Sequence, residues 1–76
     1  MNFLVRPGAP FYREQQHTRA LNTWRAAENR VAERWSAYVG AHREARRGAY
    51  TAYLMALDAE AAAASALERH ELGEAA

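Results

Sequence analysis

LNTWRAAENRVAERWSAYVG, residues 21–40, decides the fold. Leu21, Trp24, Val31, Trp35 and Tyr38 recur at helical spacing and fall on one face. His17 and Glu28 complete the rhythm. His17, Leu21, Trp24, Glu28, Val31, Trp35 and Tyr38 step by four and three, a seam of coiled-coil type. The opposite face carries Arg19, Asn22, Ala26, Asn29, Arg30, Glu33 and Ala37 and reads as solvated. Glu28 stands out. A carboxylate among aromatic side chains is unfavourable unless paired, so the pattern predicts an arginine partner for it from a neighbouring helix or chain.

Upstream of this stretch no helix breaker intervenes until Pro10, which fits the first position of a helix because its missing N–H is not needed there. Glu14 follows in the next turn, where a negative charge complements the helix dipole. The spacing therefore predicts a first helix from about 10 to 39. Residues 1–9, MNFLVRPGA, form an arm with a short apolar cluster, Phe3, Leu4 and Val5, and a turn at Pro7-Gly8.

Downstream, Tyr50, Leu54, Leu57, Ala61, Ala64, Glu68 and Glu71 repeat the four-three rhythm. This second seam is out of phase with the first. The intervening GAHREARRG, residues 40–48, has glycine at both ends and no large apolar side chain. A turn is expected within 40–48. Either Gly40 or Gly48 closes the first helix, the latter placing Arg43, Arg46 and Arg47 in a favourable last turn. A second helix is expected over about 49–72, ended by Gly73, with 73–76 as a tail. The expected fold is all-α: a helical hairpin of two long amphipathic helices with a short arm, two hairpins pairing into a four-helix bundle. The alternative is one continuous helix from about 10 to 72 in a coiled-coil assembly. The low-complexity stretch AEAAAASALE, residues 59–68, offers little area to bury but lets bulky neighbours approach closely.

Seventy-six residues allow a single domain. A domain of this size buries only about 60% of its unfolded surface and needs a staple, a metal or a partner chain. It has no cysteine, which excludes disulfides and thiolate metal sites. MNFLV runs straight into Arg6 and Pro7 without the apolar core of a leader, and no apolar run approaches the roughly 20 residues of a membrane span. A cytoplasmic protein is the expectation. All ten basic residues are arginine and alanine is abundant, the bias of a GC-rich bacterial or phage genome. The net charge of +1 is unevenly spread: residues 1–47 carry +5 and residues 48–76 carry −4. Such polarity suits segments that lie against each other, within a chain or between chains.

Three chemistries bear on these residues. Glu14 and His17 make a Glu-x-x-His, the helix-borne ligand pair of carboxylate-bridged bundles. A hairpin would bring Glu68, His70 and Glu71 to the same end. This set is a weak metal candidate, and no metal or other cofactor is expected. Arg43, Arg46 and Arg47 form the densest basic patch, able to neutralise phosphates or meet an acidic protein surface. Interleaved Glu28, Glu33 and Glu44 favour the protein contact. Catalysis has no support: there is no cysteine, no phosphate-binding glycine loop, and no Ser/His/Asp set with a pocket.

The expected function is therefore a non-enzymatic protein–protein interaction module: an adaptor, an assembly component or a phage-type inhibitor of a larger target. Its interface would be the stripe of Leu21, Trp24, Glu28, Val31, Trp35 and Tyr38, with Phe3 and Leu4 from the arm. Its partner would be a second copy, a larger protein, or both. An arginine-rich nucleic-acid-binding dimer is the runner-up, and a metal-binding bundle comes third.

Overall fold

The computed structural model describes the backbone of residues 10–75 and the side chains of 13–72. The arm, including Phe3 and Leu4, lies outside the described residues. Helix α1 spans Pro10–Val39 and helix α2 spans Arg43–Ala75. They pack antiparallel as a hairpin. No other element occurs among the described residues.

The connection is short. The Gly40 N–H closes the last α-helical bond onto the Ser36 carbonyl at 3.0 Å, and the Ala41 N–H donates to Tyr38 at 3.2 Å. The Ala45 N–H then donates to the His42 carbonyl at 2.9 Å, which opens α2. The turn thus sits at the start of the 40–48 window, and α2 begins six residues before position 49. Gly48 lies inside α2, so it is no cap. Arg43, Arg46 and Arg47 stand at the start of α2 rather than at the end of α1. The dipole disfavours cations there, and Glu44 is the compensating acid of the first turn. Nor does Gly73 end α2, which runs on to Ala75. A helical glycine costs only about 1 kcal/mol, which a long helix can absorb.

The two helices do not meet along the seam that the large side chains suggest. On α1 the half-buried column is His17, Trp24, Val31 and Tyr38, flanked by Ala20 and Ala27 on one side and by Leu21 on the other. On α2 the residues turned toward α1 are Ala49, Tyr53, Ala56, Glu60, Ala63, Leu67 and His70. That seam keeps the four-three rhythm but starts one residue earlier than Tyr50. Tyr50, Leu54, Ala61, Glu68 and Glu71 are exposed instead.

The physical reason is room. Packed helix axes lie about 8–10 Å apart, the distance depending on the side chains at the contact. With two tryptophans and Tyr38 on α1, alanines on α2 give the closer fit. Ala56, 5% exposed, is the only buried residue among the described ones. The molecule is correspondingly elongated, with extents of 61 × 26 × 12 Å. Its radius of gyration is 17.8 Å, against about 11 Å for a compact domain of this length.

Candidate functional site

Turning alanines inward leaves large apolar side chains outward. Trp35, Val39, Tyr50, Leu54, Met55 and Leu72 are the exposed large hydrophobic residues, with Trp35 at 47%. Trp35 shares a heptad position with Leu21 and Glu28. Its ring lies 5.1 Å from that of Tyr53, and the Tyr38 and Tyr50 rings are 5.3 Å apart. These contacts place the outer stripe of α1 and the Tyr50–Leu54–Leu57 stripe of α2 on the same side of the hairpin. We call it the aromatic face. On the other side Arg30 and Arg34 border a groove of about 290 Å³ floored by Ala52, Ala56 and Ala59 and rimmed by Met55.

Near the turn the aromatic face is anchored by a closed set of ring contacts. Trp35 also meets Tyr38 at 5.5 Å, and Tyr50 meets Tyr53 at 6.3 Å, all four pairs tilted rather than stacked face to face. Such geometry suits the ring quadrupole. Arg46 adds a cation 5.9 Å above the Tyr38 ring centroid and a long 3.5 Å contact to the Ala41 carbonyl. Arg43 and Arg47 are exposed. Of the basic patch, one member thus braces the turn and two extend into solvent.

The interior carboxylate of the hairpin is Glu60, not Glu28. The Trp24 Nε1–H donates to Glu60 Oε2 at 2.8 Å across the helix pair in a partly buried setting. Glu28 is exposed and has no hydrogen bond or ion pair within the described residues. Its intrachain position is the flank beside the column, because Ala27 takes the inward place. The sequence stripe is therefore divided. Trp24, Val31 and Tyr38 serve the contact with α2, whereas Glu28 and Trp35 belong to the outward aromatic face, with Leu21 half-buried at its edge.

At the open end, His17 turns toward α2 and stacks on His70, centroids 5.5 Å apart at 22°. Its Nε2 is 3.9 Å from Glu71 Oε2, an ion pair only when the imidazole is protonated. The His17 Nδ1 is buried without a hydrogen-bond partner among the described residues. His70 faces inward, contrary to a seam through Tyr50 and Leu57. Glu14 does not join this group: it is exposed and lines a shallow groove on α1 with Gln15, Thr18, Arg19 and Asn22. Among the described residues no three His, Asp or Glu side chains converge as metal ligands. No described helix is long and apolar enough to cross a membrane.

Sequence reasoning missed Glu60 and its tryptophan partner. A usable signal was present: Ala49, Ala56, Ala63 and His70 recur every seven residues, with Tyr53, Glu60 and Leu67 in the alternate positions. That is a complete heptad seam in which small and polar residues alternate with Tyr53 and Leu67, overlooked beside the bulkier stripe. No known family, curated protein or solved structure matches the chain.

Proposed function

We propose that the protein is a non-enzymatic helical interaction module whose aromatic face docks onto another protein surface. The observation that carries this reading is the amount of surface left over. The chain exposes 6029 Å², whereas a compact monomer of its size exposes about 4,700 Å². Large apolar side chains contribute to it: Trp35, Val39, Tyr50 and Leu54 are exposed in the turn half of the hairpin, with Trp35 and Tyr50 beside the Tyr53 and Tyr38 rings. An apolar patch rimmed by polar side chains is the usual mark of an interaction site. Two parallel ridges of side chains suit a helical counterpart, which inserts its own ridge between them.

The test is site-specific photocross-linking in the native host. A benzoylphenylalanine replaces Leu54 on the aromatic face, with the same probe at Met55 on the opposite side as control. A discrete protein adduct from position 54, absent from position 55, is the expected result. Equal or absent cross-linking at both positions would end the proposal.

A further inference from the structure

Resting on that reading, we propose that the occupant of the aromatic face is a second copy of the chain, seated antiparallel so that the turn end of each hairpin covers the open end of the other. Three observations converge on this arrangement. The first is area. The chain exposes 6029 Å², about 1,300 Å² more than a compact monomer of its length, because the hairpin is long and thin. Two copies burying that much would share an interface in the range of obligate homodimers, which begins near 2,000 Å² in total.

The second is shape. Along the aromatic face, the turn half is bulky, with Trp35, Val39, Tyr50 and Leu54, while the open half of α2 presents Ala61 and half-buried Ala64, with Leu72 exposed only in the last turn. Two facing hairpins related by a two-fold axis have two choices. With the axis along the helices, turn lies over turn and the bulky halves collide. With the axis across them, α2 lies antiparallel on its counterpart. Tyr50 and Leu54 then meet the alanines of the second copy, and Trp35 comes over Leu21. Self-complementarity of this kind is what an isologous interface requires.

The third is charge. Arg43 and Arg47 extend from the turn end, and Glu68 and Glu71 stand exposed at the other end of the same helix. Turn over turn would bring four arginines together. The antiparallel arrangement sets each arginine pair beside the glutamates of the other copy, an opposition that also fixes register. Glu28, without an intrachain partner, then lies near the two-fold axis opposite Glu28 of the second copy, and the Arg25 of each copy is the charge placed to offset that pair.

The experiment exploits the absence of cysteine. His42, exposed in the turn, is replaced by cysteine and spin-labelled, and the distance between labels is read by pulsed electron resonance. Antiparallel seating puts the two turns about 50 Å apart, the length of a helix like α2 at 1.5 Å per residue. Turn over turn puts them about 20 Å apart, two helix spacings. A dimer with the long distance is expected. A dimer with the short distance overturns the arrangement. A monomer at micromolar concentration overturns the second copy as occupant, while an adduct to a different protein in the cross-linking experiment would leave the interaction reading standing.

A charge swap gives an independent check. Arg43→Glu with Arg47→Glu should weaken association about 3–10-fold, as expected for exposed pairs. Adding Glu68→Arg and Glu71→Arg should restore it. The first two substitutions favour the α2 dipole, so weaker association would not reflect a lost helix. Unchanged association in the arginine variant, or failure of the four-fold variant to recover, counts against the proposal.

Discussion

The two halves of the hairpin are joined by different chemistry. Near the turn, four aromatic rings from both helices touch in sequence, with Arg46 over one of them. Toward the open end, the contacts are a histidine stack, a long histidine–glutamate pair and alanine surfaces. Between them sits the Trp24–Glu60 hydrogen bond. The difference teaches where a hairpin with almost no core keeps its order. Ring burial is worth kilocalories, whereas exposed polar pairs are worth tenths. Stability should therefore decline from the turn outward, and local opening should begin where the chain termini lie.

The largest effect should follow from emptying the turn half. Tyr38 is half-buried, touches two rings and carries the Arg46 contact. Tyr38→Ala should cost about 2–3 kcal/mol in urea unfolding, combining lost apolar burial with lost ring pairs. A cost below about 1 kcal/mol would mean that the aromatic set is ornamental and that the comparison between halves fails.

Next comes the midpoint. Trp24→Phe keeps the ring and removes the donor, leaving the Glu60 carboxylate partly buried without its partner. The expected cost is about 1–2 kcal/mol. In the Glu60→Leu background the same substitution should cost much less, because no carboxylate remains to be stranded. Equal costs in both backgrounds would show that the 2.8 Å hydrogen bond contributes nothing.

These sites also show how much was legible in the sequence. Pro10, the four-three rhythm and the phase change after Tyr38 pointed to α1 and to a turn within 40–48, but left Gly40, Gly48 and an unbroken helix open; the structure ends α1 at Val39 and starts α2 at Arg43. The phase of α2 was not legible from hydrophobicity, because the helix has two four-three stripes. One holds Tyr50, Leu54 and Leu57; the other holds Ala49, Tyr53 and Ala56. Hydrophobic size favours the first, whereas fit against Trp24 and Tyr38 favours the second. Fit is a property of two helices together, so a pattern read one helix at a time misses it. The misplacement of Glu28 has a similar origin. Glu28 shares the flank position of Leu21 and Trp35, and α2 meets the neighbouring column of Trp24, Val31 and Tyr38 with Ala27 on its other side, a choice of contact line that one helix alone does not reveal.

A smaller effect, and a favourable one, should come from Gly48. A methyl group there meets no atom within 4 Å, and the position lies within α2. Gly48→Ala should stabilise the hairpin by about 0.5–1 kcal/mol, by reducing the freedom of the unfolded chain. The gain sharpens the comparison, because it acts on the turn half without touching a ring. If the variant is no more stable, the first turns of α2 are frayed and the start at Arg43 is not a firm helix end.

The smallest effect should be at the open end. Glu71 is 3.9 Å from His17, its side chain more than half exposed, and the pair carries opposite charges only when the imidazole is protonated. His70 stacks on the same imidazole. Glu71 also lies close to the C-terminal end of α2, where the dipole opposes a negative charge. Replacing it with glutamine removes one weak attraction and one weak repulsion. The two nearly cancel, so Glu71→Gln should change stability by less than about 0.5 kcal/mol. Urea unfolding of the two proteins measures the difference directly. A loss above about 1 kcal/mol would make His17 and Glu71 a true clasp, and the open end would then be as firmly held as the middle of the hairpin.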